Sequence, residues 1–174
     1  MGDAQIPNYE QCLQVLRQTP GLLRGVLSLA TREQLNWRPP ERWSISMVLA
    51  HLAEVETLGF QSRFAAMLSA EGPVLPAYDQ MALFRPRTEF DPYEEMARFE
   101  SARGRTMALV EGLPDGAGEL HGRHEELGPI TVAQLLNEFA FHDIGHVRQV
   151  MELYRSHVFY PEMGVYQAYY RINP

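Results

Sequence analysis

The sequence contains no lysine, because all fifteen of its basic residues are arginine. The chain therefore has no amine side chain to act as a nucleophile or to form a Schiff base. The chemistry left to the chain is that of histidine, carboxylate, hydroxyl or a metal ion.

Cysteine is almost absent as well, since Cys12 is the single example. It cannot form a disulfide within the chain, and it has no second cysteine at the spacing of a thiolate metal site. Any metal ion must be held by nitrogen and oxygen ligands.

Basic runs and long apolar runs are also missing. The formal charge of −7 opposes a phosphate backbone, so we expect no nucleic-acid partner. No apolar run approaches the roughly 18 residues of a membrane helix, so we expect no membrane association. The start, MGDAQIPNYEQ, has neither a basic leader nor an apolar signal core, which predicts a cytoplasmic protein.

The 174 residues show no repeat or linker, which predicts a single domain over residues 1–174. Proline and glycine fall mainly between long amphipathic segments, so we expect an all-α four-helix bundle with a long crossover between helices 2 and 3. A short C-terminal helix follows in residues 157–174. We place the four helices at about Tyr9–Ala30, 44–69, 91–111 and 131–156, and the crossover at residues 71–90.

Local sequence signals predict where several of these helices begin, break or bend. Pro20 has no amide donor and should break or bend the first helix. Ser44 is placed to cap the second helix, Asp91 to cap the third with Pro92 in its first turn, and Thr131 to open the fourth.

The stretch HDIGH places His142 and His146 four residues apart in the fourth helix. At about 100° per residue they lie about 40° apart, within reach of one ion. Their stripe is mostly apolar and should face the core: Leu135, Glu138, Phe139, His142, His146, Gln149, Val150 and Leu153. Asp143 lies about 100° away, so it is badly placed to be the general base of a zinc protease.

His51 on the second helix shares a stripe with Met47, Val48, Val55 and Leu58, so it also points inward. Three inward imidazoles predict a site for one divalent ion, with zinc, nickel, copper or iron as candidates. Three protein ligands leave an open position, which is typical of a catalytic or substrate-binding site.

Other polar residues near this site have two interpretations each. Arg103 either holds an anionic substrate or pairs with a carboxylate such as Glu56. Gln149 either contacts a metal-bound water or a substrate, or its amide bonds a neighbouring helix. Glu138 is a fourth ligand, a hydrogen-bond partner of a ligand, or a boundary carboxylate. Asp143 either orients an imidazole or is a solvated or packing carboxylate.

The remaining histidines are expected to be solvated. His121 and His124 fall in a glycine-rich loop, and His157 falls near a helix end. Among these three, His124 is the candidate to watch.

The motifs WSISMVLAHLAEVE, at residues 43–56, and HDIGHVRQV, at residues 142–150, resemble those of the DinB-like (DinB/YfiT) family of metal-binding bundles. The segments RPP, RHEELGPITVAQLL and EMGVYQAYY also resemble the family, so the resemblance covers nearly the whole chain.

The resemblance implies a metal ion on His51, His142 and His146, with zinc or nickel expected, and a homodimer. It also implies a small-molecule substrate and a low-molecular-weight thiol as a second cofactor, because family members include thiol-dependent transferases and isomerases. The leading hypothesis is therefore a metal-dependent S-transferase or isomerase in which Gln149 or Arg103 orients the thiol or substrate. The alternatives are a metal-dependent hydrolase, a non-catalytic metal-binding or stress-response protein, and a helical dimer without metal.

Overall fold

The computed structural model describes residues 6–174; the segment MGDAQ, on which the expectation of no leader partly rests, lies outside them. Four long helical segments form a bundle, which confirms the predicted all-α fold. The elements in chain order are α1 (Tyr9–Leu29), α2 (Arg32–Asn36), α3 (Ile45–Val55), a π-helical segment (Glu56–Gln61), α4 (Ser62–Ser69), β1 (Val74–Leu75), α5 (Pro92–Glu111), a 3₁₀ turn (Ala117–Glu119), β2 (His121–His124), β3 (Gly128–Thr131), α6 (Val132–Val158) and a 3₁₀ segment (Tyr160–Tyr169).

The predicted caps are present. The Ser44 hydroxyl accepts the Met47 amide at 3.2 Å. Asp91 accepts the amides of Tyr93 and Glu94, with Pro92 in the first turn of α5. Thr131 and Gln134 form a reciprocal capping box at the start of α6. Each cap satisfies amides that the helix itself leaves without partners.

α1 is one continuous helix, so the expected break at Pro20 does not occur. Proline within a helix removes the hydrogen bond to the carbonyl four residues earlier, here that of Leu16. That carbonyl instead accepts the Arg103 Nη1–H at 2.6 Å. The partner from another helix offsets part of the cost of the proline, and the helix continues through it.

The second long helix changes its winding at residues 56–61, where one π-helical turn joins α3 to α4. A π turn inserts an extra residue and rotates the following side chains relative to an α-helix. Glu56 and Phe60 are buried as a result, while Leu58 is 56% exposed. The expectation that Leu58 faces the core with His51 was therefore wrong, because it assumed an unbroken α-helical period.

A small three-stranded sheet lies beside the bundle, in segments that we expected to be loops. β1 pairs in parallel with β2, and β2 pairs antiparallel with β3. His124 is therefore held in a strand and is 6% exposed, which corrects the expectation that it is solvated.

Two apolar clusters occupy the ends of the bundle, and a polar layer separates them. One cluster includes Phe99 and Val150, and the other includes Val110 and Phe139. Arg103 lies between these residues on α5, and Asp143 lies between them on α6; both are buried. Burying charge in a core is costly unless it is paired, so this layer requires an explanation.

The C-terminal segment differs from the expected short helix. Residues 160–169 form two 3₁₀ stretches joined at Gly164, whose φ of 52° lies in the left-handed region. None of these ten residues is buried. No helix in residues 6–174 is both long and apolar enough to cross a membrane.

Candidate metal centre

The three predicted histidines meet at one point of the bundle. α3 supplies His51, and α6 supplies His142 and His146. The Nε2 atom of His142 lies 3.2 Å from the Nε2 atoms of both other rings. His51 is 2% exposed, and the other two are half-buried.

Burial keeps these imidazoles neutral. It lowers the pKa of His51 to about 3, with the neighbouring His146 acting in the same direction. It lowers the pKa of His142 to about 2, where both other histidines and Arg103 add to the effect. The pKa of His146 is lowered by burial too, although its bond to Gln149 opposes the change. At neutral pH the cluster presents nitrogen lone pairs and no positive charge of its own.

The hydrogen-bond partner of Nδ1 determines which ring nitrogen of His146 carries the proton. Its Nδ1 lies 2.8 Å from the side-chain oxygen of Gln149, which can only accept a hydrogen bond. The proton therefore sits on Nδ1, and the Nε2 atom points a free lone pair toward the other rings.

A divalent cation fits this donor set. One proton on the Nε2 of His142 can bridge to only one of its two neighbours, which leaves another lone pair without a donor. One divalent ion would engage all three nitrogens, which are ligands that zinc, nickel, copper and iron accept. The Nδ1 atoms of His51 and His142 are buried without a hydrogen-bond partner within residues 6–174, so their tautomers are not fixed as that of His146 is.

Aromatic side chains form the wall of the histidine cluster. The Trp43 ring lies 5.0 Å from that of His51 and is stacked at 6.4 Å on that of His146. Phe60 meets His142 edge-on at 5.5 Å, because the π turn directs it inward. The crossover contributes Tyr78, at 6.1 Å from His51, and Phe84, at 4.8 Å from Trp43.

One side of the cluster opens into a cleft of about 620 Å³. This volume lies within the range of small-molecule sites. Its lining includes two of the three imidazoles: Arg42, Glu138, Phe141, His142, Gly145, His146, Arg148, Gln149, Glu152, Asn173 and Pro174. A small molecule in the cleft would thus contact the exposed side of the histidine cluster.

A second polar cluster is centred on Arg103, whose five N–H groups all have acceptors. Nε donates to Glu56 at 2.6 Å, and Nη2 pairs with the same carboxylate. Nη1 and Nη2 donate to the two oxygens of Asp143 at 2.7 and 3.0 Å. The remaining Nη1–H reaches the Leu16 carbonyl, which Pro20 leaves free.

This arrangement decides between the two interpretations of Arg103. The guanidinium is 2% exposed, and each of its N–H groups donates a hydrogen bond to a group of the protein, including Glu56. Burial acts to lower the pKa of Arg103, but Asp143 and Glu56 outweigh it and raise the pKa. Arg103 is therefore paired with carboxylates, as the second interpretation predicted. It is not among the residues that line the cleft.

Asp143 also has a defined partner. It is 0% exposed and binds Arg103 through both oxygens, so it is neither solvated nor hydrogen-bonded to an imidazole. Because Asp143 follows His142 directly, this ion pair fixes the helical turn that carries the histidines.

Gln149 and Glu138 both lie at the cleft. Gln149 bonds His146 within its own helix, which neither of its two interpretations specified. Glu138 is exposed, as a boundary carboxylate would be, and it is absent from the group of residues whose ligand atoms converge. Desolvation nevertheless raises the pKa of Glu138, while Arg63 opposes the shift.

The other histidines lie apart from the centre. His121 is exposed, as expected. His157 is half-buried and stacks on Trp37 with ring centroids 4.3 Å apart. The buried His124 contacts the Arg63 guanidinium at 3.0 Å through Nε2.

The sequence analysis assigned no role to the aromatic side chains around the histidines, or to Arg42, which lines the cleft. Trp43 stood in the quoted motif without an assigned role, although its position before a capping serine places it beside the first turns of α3. No local pattern could assign three further residues to the site, because their segments show no hydrophobic periodicity: Tyr78, Phe84 and Arg42.

Comparisons with known proteins agree with this architecture. The family model of the DinB superfamily matches residues 15–150. Among solved structures, the chain is similar to YfiT from Bacillus subtilis, with 25% identity, a TM-score of 0.78, and coverage of 90% of this chain and 91% of YfiT. YfiT is described as a probable metal-dependent hydrolase with an unusual four-helix bundle topology. A comparison with curated proteins finds no match.

The matched region contains all three histidines, both carboxylates that bind Arg103, and Arg103 itself. It covers most of the chain and all four long helical segments in whole or in part. The resemblance seen in the motifs is therefore confirmed: this chain belongs to the DinB superfamily.

Proposed function

We propose that this protein is a divalent-metal-dependent enzyme that activates a small nucleophile at the face of the histidine cluster turned toward the cleft. The observation that carries the proposal is the convergence of three neutral Nε2 atoms beside an open cleft. A structural ion would ordinarily have a fourth protein ligand. None of the cysteine, aspartate or glutamate side chains of residues 6–174 joins the three histidines as such a ligand.

The histidines and Gln149 have separate roles in this proposal. His51, His142 and His146 would hold the ion as neutral ligands, with zinc or nickel as our candidates. Gln149 holds the His146 proton on Nδ1 and so keeps its Nε2 available. When bound, such an ion lowers the pKa of a coordinated water or thiol, so that a nucleophile is available at neutral pH.

Neighbouring side chains keep the histidines in place and limit the access of water. Trp43 and Phe60 cover the rings on the inner side. Asp143 ties the histidine turn of α6 to α5 through Arg103. Access is therefore expected from the cleft, where Gln149 also provides an amide group that could contact a bound molecule.

Two nucleophiles are candidates. A low-molecular-weight thiol would make the protein an S-transferase or isomerase, and the cleft of about 620 Å³ has room for such a molecule beside the histidines. Water would make it a hydrolase, and the similarity to YfiT favours this second candidate. The proposal also places the protein in the cytoplasm and treats it as a homodimer.

The test uses untagged protein loaded with zinc or nickel. Small thiols combined with electrophiles, and separately ester and amide substrates, are assayed with wild type, His146→Ala and His157→Ala. We expect turnover of one substrate group by wild type and His157→Ala, and its loss in His146→Ala. If His146→Ala keeps the turnover, or if removing the metal lowers only the melting temperature, the proposal is wrong.

A further inference from the structure

The charges at the mouth of the cleft are unevenly compensated. Glu152 is engaged on several sides: its carboxylate accepts the Ser156 hydroxyl at 3.0 Å and the Asn173 amide at 3.0 Å, and it pairs with Arg155. This side chain lines the cleft, but its negative charge is balanced by Arg155, and its carboxylate also accepts hydrogen bonds from the two neutral donors.

The two arginines of the cleft are not balanced in this way. Within residues 6–174, neither Arg42 nor Arg148 forms an ion pair with a carboxylate. Arg42 donates one hydrogen bond of 3.3 Å to the side chain of Asn173, and both arginines are exposed. Among the side chains of residues 6–174 that line the cleft, Glu138 is the one carboxylate left to offset these two positive charges.

The lining of the cleft includes one residue without a side chain, Gly145. Gly145 lines the cleft between His142 and His146, and a Cβ added at Gly145 would meet no atom within 4 Å. Because two imidazoles and both arginines line the same cleft of about 620 Å³, one small molecule in it can contact groups of both kinds. Phe141, which is 82% exposed, adds an apolar surface to the same cleft.

We infer that the cleft selects a small molecule that carries a carboxylate, whose anion is bound by Arg42 and Arg148 while its reacting end lies at the histidines. The inference rests on the proposed function for the identity of the reacting end. The arginine guanidinium suits this role because its planar set of N–H donors matches the two oxygens of a carboxylate. The protein as a whole carries a charge of −7, so these two residues form a local exception to its overall field.

The probes are two thiols of similar size, 3-mercaptopropionate and the neutral 3-mercapto-1-propanol. Their dissociation constants are measured on cobalt-loaded protein from the thiolate-to-cobalt absorption, at low and at high salt. We expect wild type to prefer the anionic thiol roughly tenfold at low salt, since each exposed ion pair contributes a few-fold. Salt should weaken this preference by screening.

The variants isolate the arginines. Arg42→Gln and Arg148→Gln should each reduce the preference about threefold, and the double variant should lose it, in keeping with the modest strength of exposed ion pairs. Glu138→Gln should increase it, because a competing carboxylate is removed. Arg105→Gln, which changes an exposed arginine on α5 outside this cleft, serves as the matched control and should leave the preference unchanged.

Failure of the inference is distinguishable from failure of the proposed function. Equal affinity of wild type for both thiols, or a preference that survives in the double variant, would overturn the role of the arginines. A chain that loads no cobalt would instead contradict the proposed function. The arginines are then tested on metal-free protein, where 3-mercaptopropionate alone should shift the amide NMR signals of Gly145 and Arg148, and equal shifts with both thiols would overturn the inference.

Discussion

Two buried polar clusters meet in adjacent residues of α6, and they differ in how their donors and acceptors are matched. Around Arg103, five N–H donors face two carboxylates and one carbonyl, and every donor has an acceptor. Around His142, three nitrogen lone pairs face one another, and the protein supplies too few donors. The first cluster is complete within the protein, whereas the second leaves lone pairs that a cation would engage. This difference separates a structural cluster from a functional one more clearly than burial does.

The comparison predicts that the Arg103 cluster matters most for stability. Arg103→Met leaves two carboxylates buried without their cation, and breaking a buried pair in this way costs about 3–5 kcal/mol. Urea unfolding should show this loss as a lower midpoint.

Arg105→Met on the same helix is the matched control and should change the free energy of unfolding by less than about 0.5 kcal/mol. A loss below about 1 kcal/mol for Arg103→Met would show that the matched cluster does not hold the helices together.

The histidine cluster should instead contribute stability only when metal is present. Zinc at about 1,000 times its dissociation constant should raise the free energy of unfolding of wild type by about 4 kcal/mol. His146→Ala should lose most of this increment and keep the stability of the metal-free protein.

The same zinc titration of Arg103→Met sharpens the comparison. We expect this variant to begin from a lower stability and still gain from zinc, because its three imidazoles remain. An increment that disappears in Arg103→Met would mean that the two clusters act as one unit.

Gln149 connects metal binding to the tautomer of His146. Gln149→Leu removes the acceptor for the Nδ1 proton, and losing such a partner of a ligand typically lowers metal affinity 10–100-fold. Competition with a chelator measures the change. Gln149→Glu keeps an acceptor at the same position and should stay within a few-fold of wild type; equal losses in both variants would contradict this role.

The smallest expected effect is at Pro20. Replacing a proline within a helix with alanine should gain up to about 3 kcal/mol. Here the Leu16 carbonyl already accepts a hydrogen bond from Arg103, so we expect Pro20→Ala to gain no more than about 1 kcal/mol. A gain near the full amount in urea unfolding would show that Arg103 does not compensate for the proline.

Features with local causes were predictable from the sequence. The caps at Ser44, Asp91 and Thr131 depend on residues within one turn, and the predicted helix starts agree with the structure. The histidine set was predictable because the spacing in α6 and the inward stripe of α3 both indicated the core.

Features that depend on contacts between distant segments were not predictable. The π turn places Leu58 at the surface, and no residue type in the sequence predicts such a turn. The carbonyl that keeps α1 intact at Pro20 bonds to a residue 87 positions away. The sheet that buries His124 is made of strands of two to four residues, which are too short to show a period.

The most direct test of the account is the metal content of untagged protein, measured by elemental analysis after incubation with zinc or nickel and removal of the excess. X-ray absorption at the metal edge then identifies the ligands. We predict about one ion per chain of wild type with three imidazole ligands, and a large loss in His142→Ala. A wild-type protein that retains neither ion, or a His142→Ala variant that binds as much metal as wild type, would contradict the claim that these histidines form a metal centre.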